Sequence, residues 1–360
     1  MREPPAHRCL QDPRRPELHD GAARDALAKG VITASAGNHA QGVAFSADLL
    51  GVPSTVFMPE STPPQKVFAT RDYGAEVVLT GRNFDEAYAA AVQAQEERGA
   101  LFVHPFDDPL VMAGQGTIGL EILQELPDVA NILVPIGGGG LIAGIATAIR
   151  ETHPQVRIIG VETAAAPSAH YSLQKGKIAQ VPVTVTLADG IAVKKPGVNT
   201  FPIIRDLVDE VVLVEEEEIA LAIVALLERT KLLVEGAGAV PLAALLNRRV
   251  AELSGKTVCV LSGGNIDVKT ISVVVERGLV AAGRYLKLKV ELDDLPGAWR
   301  ALPRKSPRRK PTSPSSPMTG ARNRSPSARP RSSSSWRPGG SSTFRRLSLT
   351  CRGLGIWWMC

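Results

Sequence analysis

Across 360 residues the chain is 44% hydrophobic and carries a formal charge of +5, long enough for two domains with real cores. No apolar run approaches the length of a membrane span, and Met1 to Arg15 contain no apolar signal-peptide core. Cys9, Cys259, Cys351 and Cys360 show neither metal-ligand spacing nor a disulfide pattern, which excludes a cysteine-stapled secreted module and points to a reducing cytoplasm.

Residues 1–24 are rich in Arg, Pro, His and Asp and have no helical or strand period. From 25 to 298, β-rich apolar runs alternate with longer amphipathic stretches, which predicts an α/β fold with a mainly parallel sheet. Strands are predicted at GVITAS (30–35), STVFMP (54–59), EVVLTG (76–81), ANILVPIG (130–137), RIIGVE (157–162), EVVLVE (210–215) and TVCVLSG (257–263). A helix is predicted over Phe84–Glu97, with Ala and Val on one side and charges on the other. LIAGIATAIRE (141–151) reads as a second, and a third runs from Glu216 to Leu233, its acidic start suited to the positive end of a helix dipole. From Trp299 to Cys360 there are 14 Lys/Arg and no Asp or Glu, so the body before it carries −9 and only the tail is basic. Ser, Pro and Arg dominate that tail, it holds all four tryptophans, and no periodic segment survives in it.

Three turns carry chemistry. Gly137, Gly138, Gly139 and Gly140 follow the strand ANILVPI directly and precede a helix. Glycines there let backbone N–H groups approach an anion, usually a phosphate, although a plain flexible turn has the same composition. The spacing is not GxGxxG, which argues against a dinucleotide. Ser35, Ala36, Gly37, Asn38 and His39 stand where the first strand gives way to a helix; their side-chain donors beside backbone N–H groups suit a carboxylate or a phenolate-like oxygen, and Ser and Asn are equally good helix caps. Leu261-Ser262-Gly263-Gly264-Asn265 follows the strand TVCV, where a hydroxyl faces the crevice at which open α/β sheets bind ligands. Together the three turns predict one shared cleft.

SAGNHAQG (35–42), GGGGL (137–141) and LSGGN (261–265), in this order and separation, resemble the fold-type II pyridoxal-phosphate family, and within it the threonine ammonia-lyases. The likeness runs through 29–298 and includes PESTPPQKV (59–67), HPFDDPLVMAGQGTIGLEIL (104–123), TLADGIAVKKPG (186–197) and VEGAGAVPLAAL (234–245). It implies two open twisted α/β domains, of the tryptophan synthase β type, with pyridoxal 5'-phosphate in the cleft between them. Gly137 to Gly140 and Leu141 are then implied to hold the cofactor phosphate, Asn38 the pyridine 3′-oxygen and Ser262 the ring nitrogen. Ser35, Ala36, Gly37 and His39 are implied to line the substrate carboxylate site, for L-threonine or L-serine. A neutral partner such as Ser262 at the ring nitrogen is what this family uses for β-elimination rather than transamination. The related serine racemases have a second Ser where this chain has Ala36, which favours elimination over racemisation. Their divalent metal site also needs an acidic residue six positions after Glu162, where Ser168 stands, so no metal is expected. RYLKLKVELDDLPGA (284–298) resembles the opening of an ACT domain, a small amino-acid-binding regulatory module. Relatives assemble as oligomers, which implies a homo-oligomer here.

The family's catalytic lysine, which forms the Schiff base with the cofactor and moves the α-proton, belongs in a motif like TG(S/A)FKIRGA upstream of the Asn loop. No intact copy is present, and Lys29 sits where the family has an ordinary surface residue. Permissible codons for Ala6 to Pro16, read one base later, give Pro-Thr-Gly-Ala-Phe-Lys-Ile-Arg-Gly-Ala. The displaced lysine codon spans Gln11 and Asp12, 27 positions before Asn38. From Ala298, permissible codons in a shifted frame likewise give Leu-Ala-Arg-Leu-Ala-Ala-Glu-Ile-Ala-Glu-Ala-Lys-Ala, the amphipathic helix expected after DLPGA. The domain reading is therefore 1–24 out of frame and unstructured, 25–283 lyase domains with an incomplete N-terminus, 284–298 the start of an ACT domain, and 299–360 a disordered out-of-frame tail with the start at Met1 spurious. The activity implied is elimination of L-threonine to 2-oxobutanoate and ammonia, in isoleucine biosynthesis or threonine catabolism, by a chain impaired for lack of its lysine. The alternatives are a serine racemase-like enzyme, a catalytically dead amino-acid-binding protein and, from the 14 basic tail residues, a nucleic-acid arm.

Overall fold

All seven predicted apolar runs form strands in a computed structural model, which describes residues 27–289 together with 333–336 and 356–359. They build two separate parallel sheets. The first is ordered β3 (Glu76–Leu79), β2 (Ser54–Met58), β1 (Val31–Ala34) and β4 (Leu101–Phe102). Val31 pairs with Ser54 on one side and Leu101 on the other, and Thr55 pairs with Glu76. The second sheet is ordered β11 (Ile356–Met359), β8 (Lys256–Val260), β5 (Val129–Pro135), β6 (Arg157–Thr163) and β7 (Glu210–Val214).

The period-two pattern of these strands loads both faces, as it must when helices cover a parallel sheet on each side. In β5, Ile132 and Val134 pack towards α4 (Pro109–Glu125), α5 (Gly140–Thr152) and α7 (Thr200–Leu207). Leu133 between them faces the other way, against α8 (Glu216–Arg229), α9 (Gly236–Leu246) and α10 (Val268–Ala281). The first sheet repeats the scheme with smaller residues. Val56 and Met58 meet Ala40 and Ala44 of α1 (Asn38–Leu50) and Val67 of α2 (Pro64–Arg71), while Phe57 meets Ala91 of α3 (Phe84–Arg98). The remaining helix, α6 (Ser168–Lys175), follows β6.

Helix ends follow their local chemistry. Asn83 caps α3 by accepting from the Glu86 N–H, and Gly99 ends it at φ 63°. Glu215 and Glu218 form a reciprocal capping box on α8. That helix stops at Arg229 rather than at Leu233, because Lys231 adopts a left-handed φ of 61°. Two stretches of the tail expected to be disordered are strands: Ser333–Trp336 (β10) pairs antiparallel with β9 (Leu286–Lys289), and β11 pairs parallel with β8. A sheet edge offers unpaired N–H and C=O groups to any extended backbone, so such pairing needs no side-chain pattern. Among the described residues no helix is long and apolar enough to cross a membrane.

The strand orders decide where a ligand can sit. β1 is followed by β2 on one side but flanked by β4 on the other, and β5 is followed by β6 on one side but flanked by β8 on the other. Both are points where the winding reverses, and there the helices leave a crevice at the carboxyl ends of the strands. The Ser35 turn leaves β1 and the tetraglycine turn leaves β5.

Candidate functional site

At the end of β1, the Ser35 N–H donates to the Phe57 carbonyl (3.1 Å) and the Ser35 Oγ accepts from the Gly37 N–H (3.2 Å). Neither Ser35 nor Asn38 caps α1; the N-cap is Gly37, with no side-chain cap bond. The Asn38 amide reaches away instead, its Nδ2 donating to Glu235 Oε1 at 3.2 Å. Ala36 leans on the Ala40–Val56–Met58 cluster. His39 has its Nε2 3.0 Å from Thr33 Oγ1 and 3.1 Å from the Val103 carbonyl, turned into the protein. Desolvation holds its pKa down at about 4, so the ring is neutral and anchors the first turn of α1 to the ends of β1 and β4.

At the end of β5, Gly138, Gly139 and Gly140 are buried, and Gly139 takes φ 98° as the N-cap of α5. Only glycine fits that left-handed position, and at Gly138 any Cβ would collide with the Phe106 ring. The N–H groups of residues 137–142 find no acceptor among the described residues. Six orphan donors at the start of a 13-residue helix form a receptor for an anion.

Glu235 links the two turns. It stands at the N-cap of α9, 9% exposed, with its N–H donating to the Gly263 carbonyl (3.0 Å) and its Oε1 packed so closely on Gly263 that no side chain fits there. Burial, then the charge of Asp189, raise its carboxyl to about 7 against the opposing effects of the Asn38 amide and Lys66. Gly190 lies against Ala237 and Glu235, and the neighbouring Ile191 packs on Gly137. Contacts thus run from Asn38 to Glu235, from Glu235 to Gly263, and from Glu235 through Gly190 and its neighbour Ile191 to Gly137. The Ser262 hydroxyl has no partner among the described residues. Sequence reading missed Glu235; its only signal was its place directly before the glycine-rich start of α9.

Other predicted positions lie elsewhere. Glu162 is fully buried and raised to about 7 by that burial. Its oxygens accept from the Ala169 and His170 N–H groups (both 2.8 Å) and Ser168 Oγ (3.5 Å), so they close the start of α6. The Lys29 amine lies beside Gly99, before the first residue of β1 and so at the opposite end of that strand from the cleft. Gln11 and Asp12 fall outside the described residues, as does the rest of the ACT-like segment beyond β9.

The orphan N–H groups, the glycine-only turn and the Ser262 hydroxyl fit a phosphorylated heteroaromatic cofactor, and comparison with known proteins decides which. The profile of the family "Pyridoxal-phosphate dependent enzyme" matches residues 15–263. The chain belongs to the pyridoxal-phosphate dependent enzymes. It is 98% identical over 279 residues to the L-threonine ammonia-lyase of Geobacter sulfurreducens, covering 78% of this chain and 69% of that one. Among solved structures, the processed form of threonine deaminase isoform 2 from Solanum lycopersicum matches with a TM-score of 0.67 at 40% identity, over 71% of this chain and 75% of that one. Maize serine racemase matches at TM-score 0.66 and 36% identity, over 71% and 79%. The two-sheet architecture is the fold-type II arrangement, and pyridoxal phosphate is the family's cofactor. The family match begins at residue 15, inside the segment 1–24 expected to be foreign.

Proposed function

We propose that this chain carries the pocket of a threonine/serine ammonia-lyase, which converts L-threonine to 2-oxobutanoate and ammonia, and that the chain as translated is impaired because its lysine is displaced from frame. The observation that carries the reading is the Asn38–Glu235 bond of 3.2 Å, which ties the turn after β1 to the glutamate packed on Gly263 and, through Gly190 and Ile191, to the tetraglycine with its orphan N–H groups. The relative at 98% identity supports the same activity.

In this reading the N–H groups of Gly137 to Gly140 and Leu141 hold the phosphate. Asn38, whose amide donates to Glu235, faces the 3′-oxygen. Ser262 offers a neutral hydroxyl to the ring nitrogen. Ser35, Ala36 and Gly37 line the substrate carboxylate, and His39 positions that turn from below. Once bound, the cofactor supplies the electron sink that makes the substrate α-proton acidic. Moving that proton needs an amine, whose codon in this proposal lies in the neighbouring frame across Gln11 and Asp12. Ala36 in place of a second serine hydroxyl favours elimination over racemisation. The ACT-like segment, a homo-oligomeric assembly, a cytoplasmic location and a place in isoleucine biosynthesis or threonine catabolism belong to the same proposal.

Restoring the shifted frame at residues 6–16 tests it. The repaired chain is expected to gain the absorbance of a lysine-bound cofactor and to release 2-oxobutanoate from L-threonine, while the translated chain binds the cofactor and does neither. Turnover by the translated chain, or a gene whose neighbouring frame does not encode the lysine motif, would overturn the displacement. A repaired chain that racemises serine without eliminating it would overturn the lyase.

A further inference from the structure

The tetraglycine turn does not hold itself. Its Gly138 carbonyl accepts from two donors on one side, the Thr200 hydroxyl (2.7 Å) and the Gly197 N–H (3.1 Å). A trans peptide is rigid and sets its N–H opposite its C=O, so clamping the Gly138 oxygen aims the Gly139 N–H the other way. Thr200 is fully buried, and its Oγ also accepts from the Gly197 N–H (3.0 Å). It therefore has one geometry available, with both hydroxyl functions used.

Thr200 is fixed in turn by Asp107. The Asp107 carboxylate accepts from the N–H groups of Val198 (2.8 Å), Asn199 (2.8 Å) and Thr200 (3.2 Å), and the Asn199 amide donates to the Asp107 carbonyl (3.2 Å). α7 has no side-chain cap of its own, so Asp107 closes its first turn from a distant part of the chain. The strap that carries Asp107 also presses on the glycines, with the Phe106 ring against Gly138 and the Phe106 carbonyl against Gly140. His104 Nδ1 accepts from the N–H groups of Phe106 (3.2 Å) and Asp107 (2.8 Å) and so sets the strap's bend.

We propose that Thr200 and Asp107 are positioning residues for the phosphate turn: they preset the Gly138–Gly139 peptide so that the orphan N–H groups converge before the anion arrives. Preorganised donors bind more tightly because no ordering is left to do on binding. The inference rests on the cofactor reading of the tetraglycine, and neither residue touches the ligand itself.

The test uses the full chain and two titrants, pyridoxal 5'-phosphate and pyridoxal, which differ only in the phosphate. Thr200→Val is expected to raise the Kd for pyridoxal phosphate about tenfold, the effect of roughly one buried hydrogen bond, and to leave pyridoxal unchanged. Thr200→Ser keeps the hydroxyl and is expected to restore the Kd. Asp107→Asn, a second route to the same peptide, is expected to weaken pyridoxal phosphate selectively and by less. Equal Kd values for Thr200→Val and the unmodified chain would overturn the proposal, as would equal weakening of both titrants by both variants. If the unmodified chain prefers neither titrant, the cofactor site itself is overturned and the clamp with it.

Discussion

Glu162, at the end of β6, and Glu235, at the start of α9, are both buried carboxyls raised to about 7, yet their donors differ. Around Glu162, two backbone N–H groups and a serine hydroxyl occupy both oxygens, and the side chain has no exposed surface. Around Glu235 the side-chain donor is Asn38, from the turn after β1, and 9% of the residue remains exposed. An elevated pKa alone therefore does not mark a functional group. A buried carboxyl whose donors are backbone amides of one helix start staples structure, whereas one that holds a side chain of the turn proposed to bind the cofactor is a candidate to set that site.

The largest effect expected from this comparison is on pH-dependent stability. Both groups have a folded pKa above the ordinary glutamate value of 4.5, so the native state holds their protons more tightly than the unfolded chain. Their stabilisation is full below about pH 4.5 and is lost as pH rises through about 7, on the order of a few kcal/mol in all. Urea unfolding across that window should show the fall, and Glu162→Gln with Glu235→Gln, neutral at every pH, should flatten it; an unchanged slope would break the parallel between them.

Glu162→Leu comes next. It leaves the Ala169 and His170 N–H groups and the Ser168 hydroxyl without their acceptor and should cost about 3 kcal/mol in unfolding free energy, with little change in the affinity of whatever protein remains folded. Glu235→Gln is the smaller and opposite case. Its stability at pH 7 should shift by less than about 1 kcal/mol, while pyridoxal phosphate affinity falls severalfold, more at about pH 8 than at about pH 6, as Asn38 loses an acceptor that is charged only as pH rises through about 7. A matching loss of stability in both variants would mean that Glu235 is a second staple.

Much of this was legible in the sequence, for physical reasons that also mark its limits. Runs such as STVFM and NILVP are β-rich, and both faces of a parallel strand are buried, so their apolar character survives without context. β4 escaped notice because Leu101–Phe102 is two residues long and forms only by lying beside β1. The tetraglycine and the Asn38 turn were visible because backbone chemistry needs those residue types. Ser35 and Asn38 could equally have been caps, and only the fold showed Gly37 in that role and the Asn38 amide reaching Glu235.

By itself, then, the sequence determined the α/β class, the strands and the places of the three glycine- and serine-rich turns, because local composition encodes burial and close backbone approach. Tertiary structure alone decided which of two glutamates meets the Asn38 amide, that His39 Nε2 faces inward, and that Asp107, 93 positions from Thr200, accepts from its N–H. Each of these depends on where a side chain meets a backbone group far along the chain, and no local pattern carries that information.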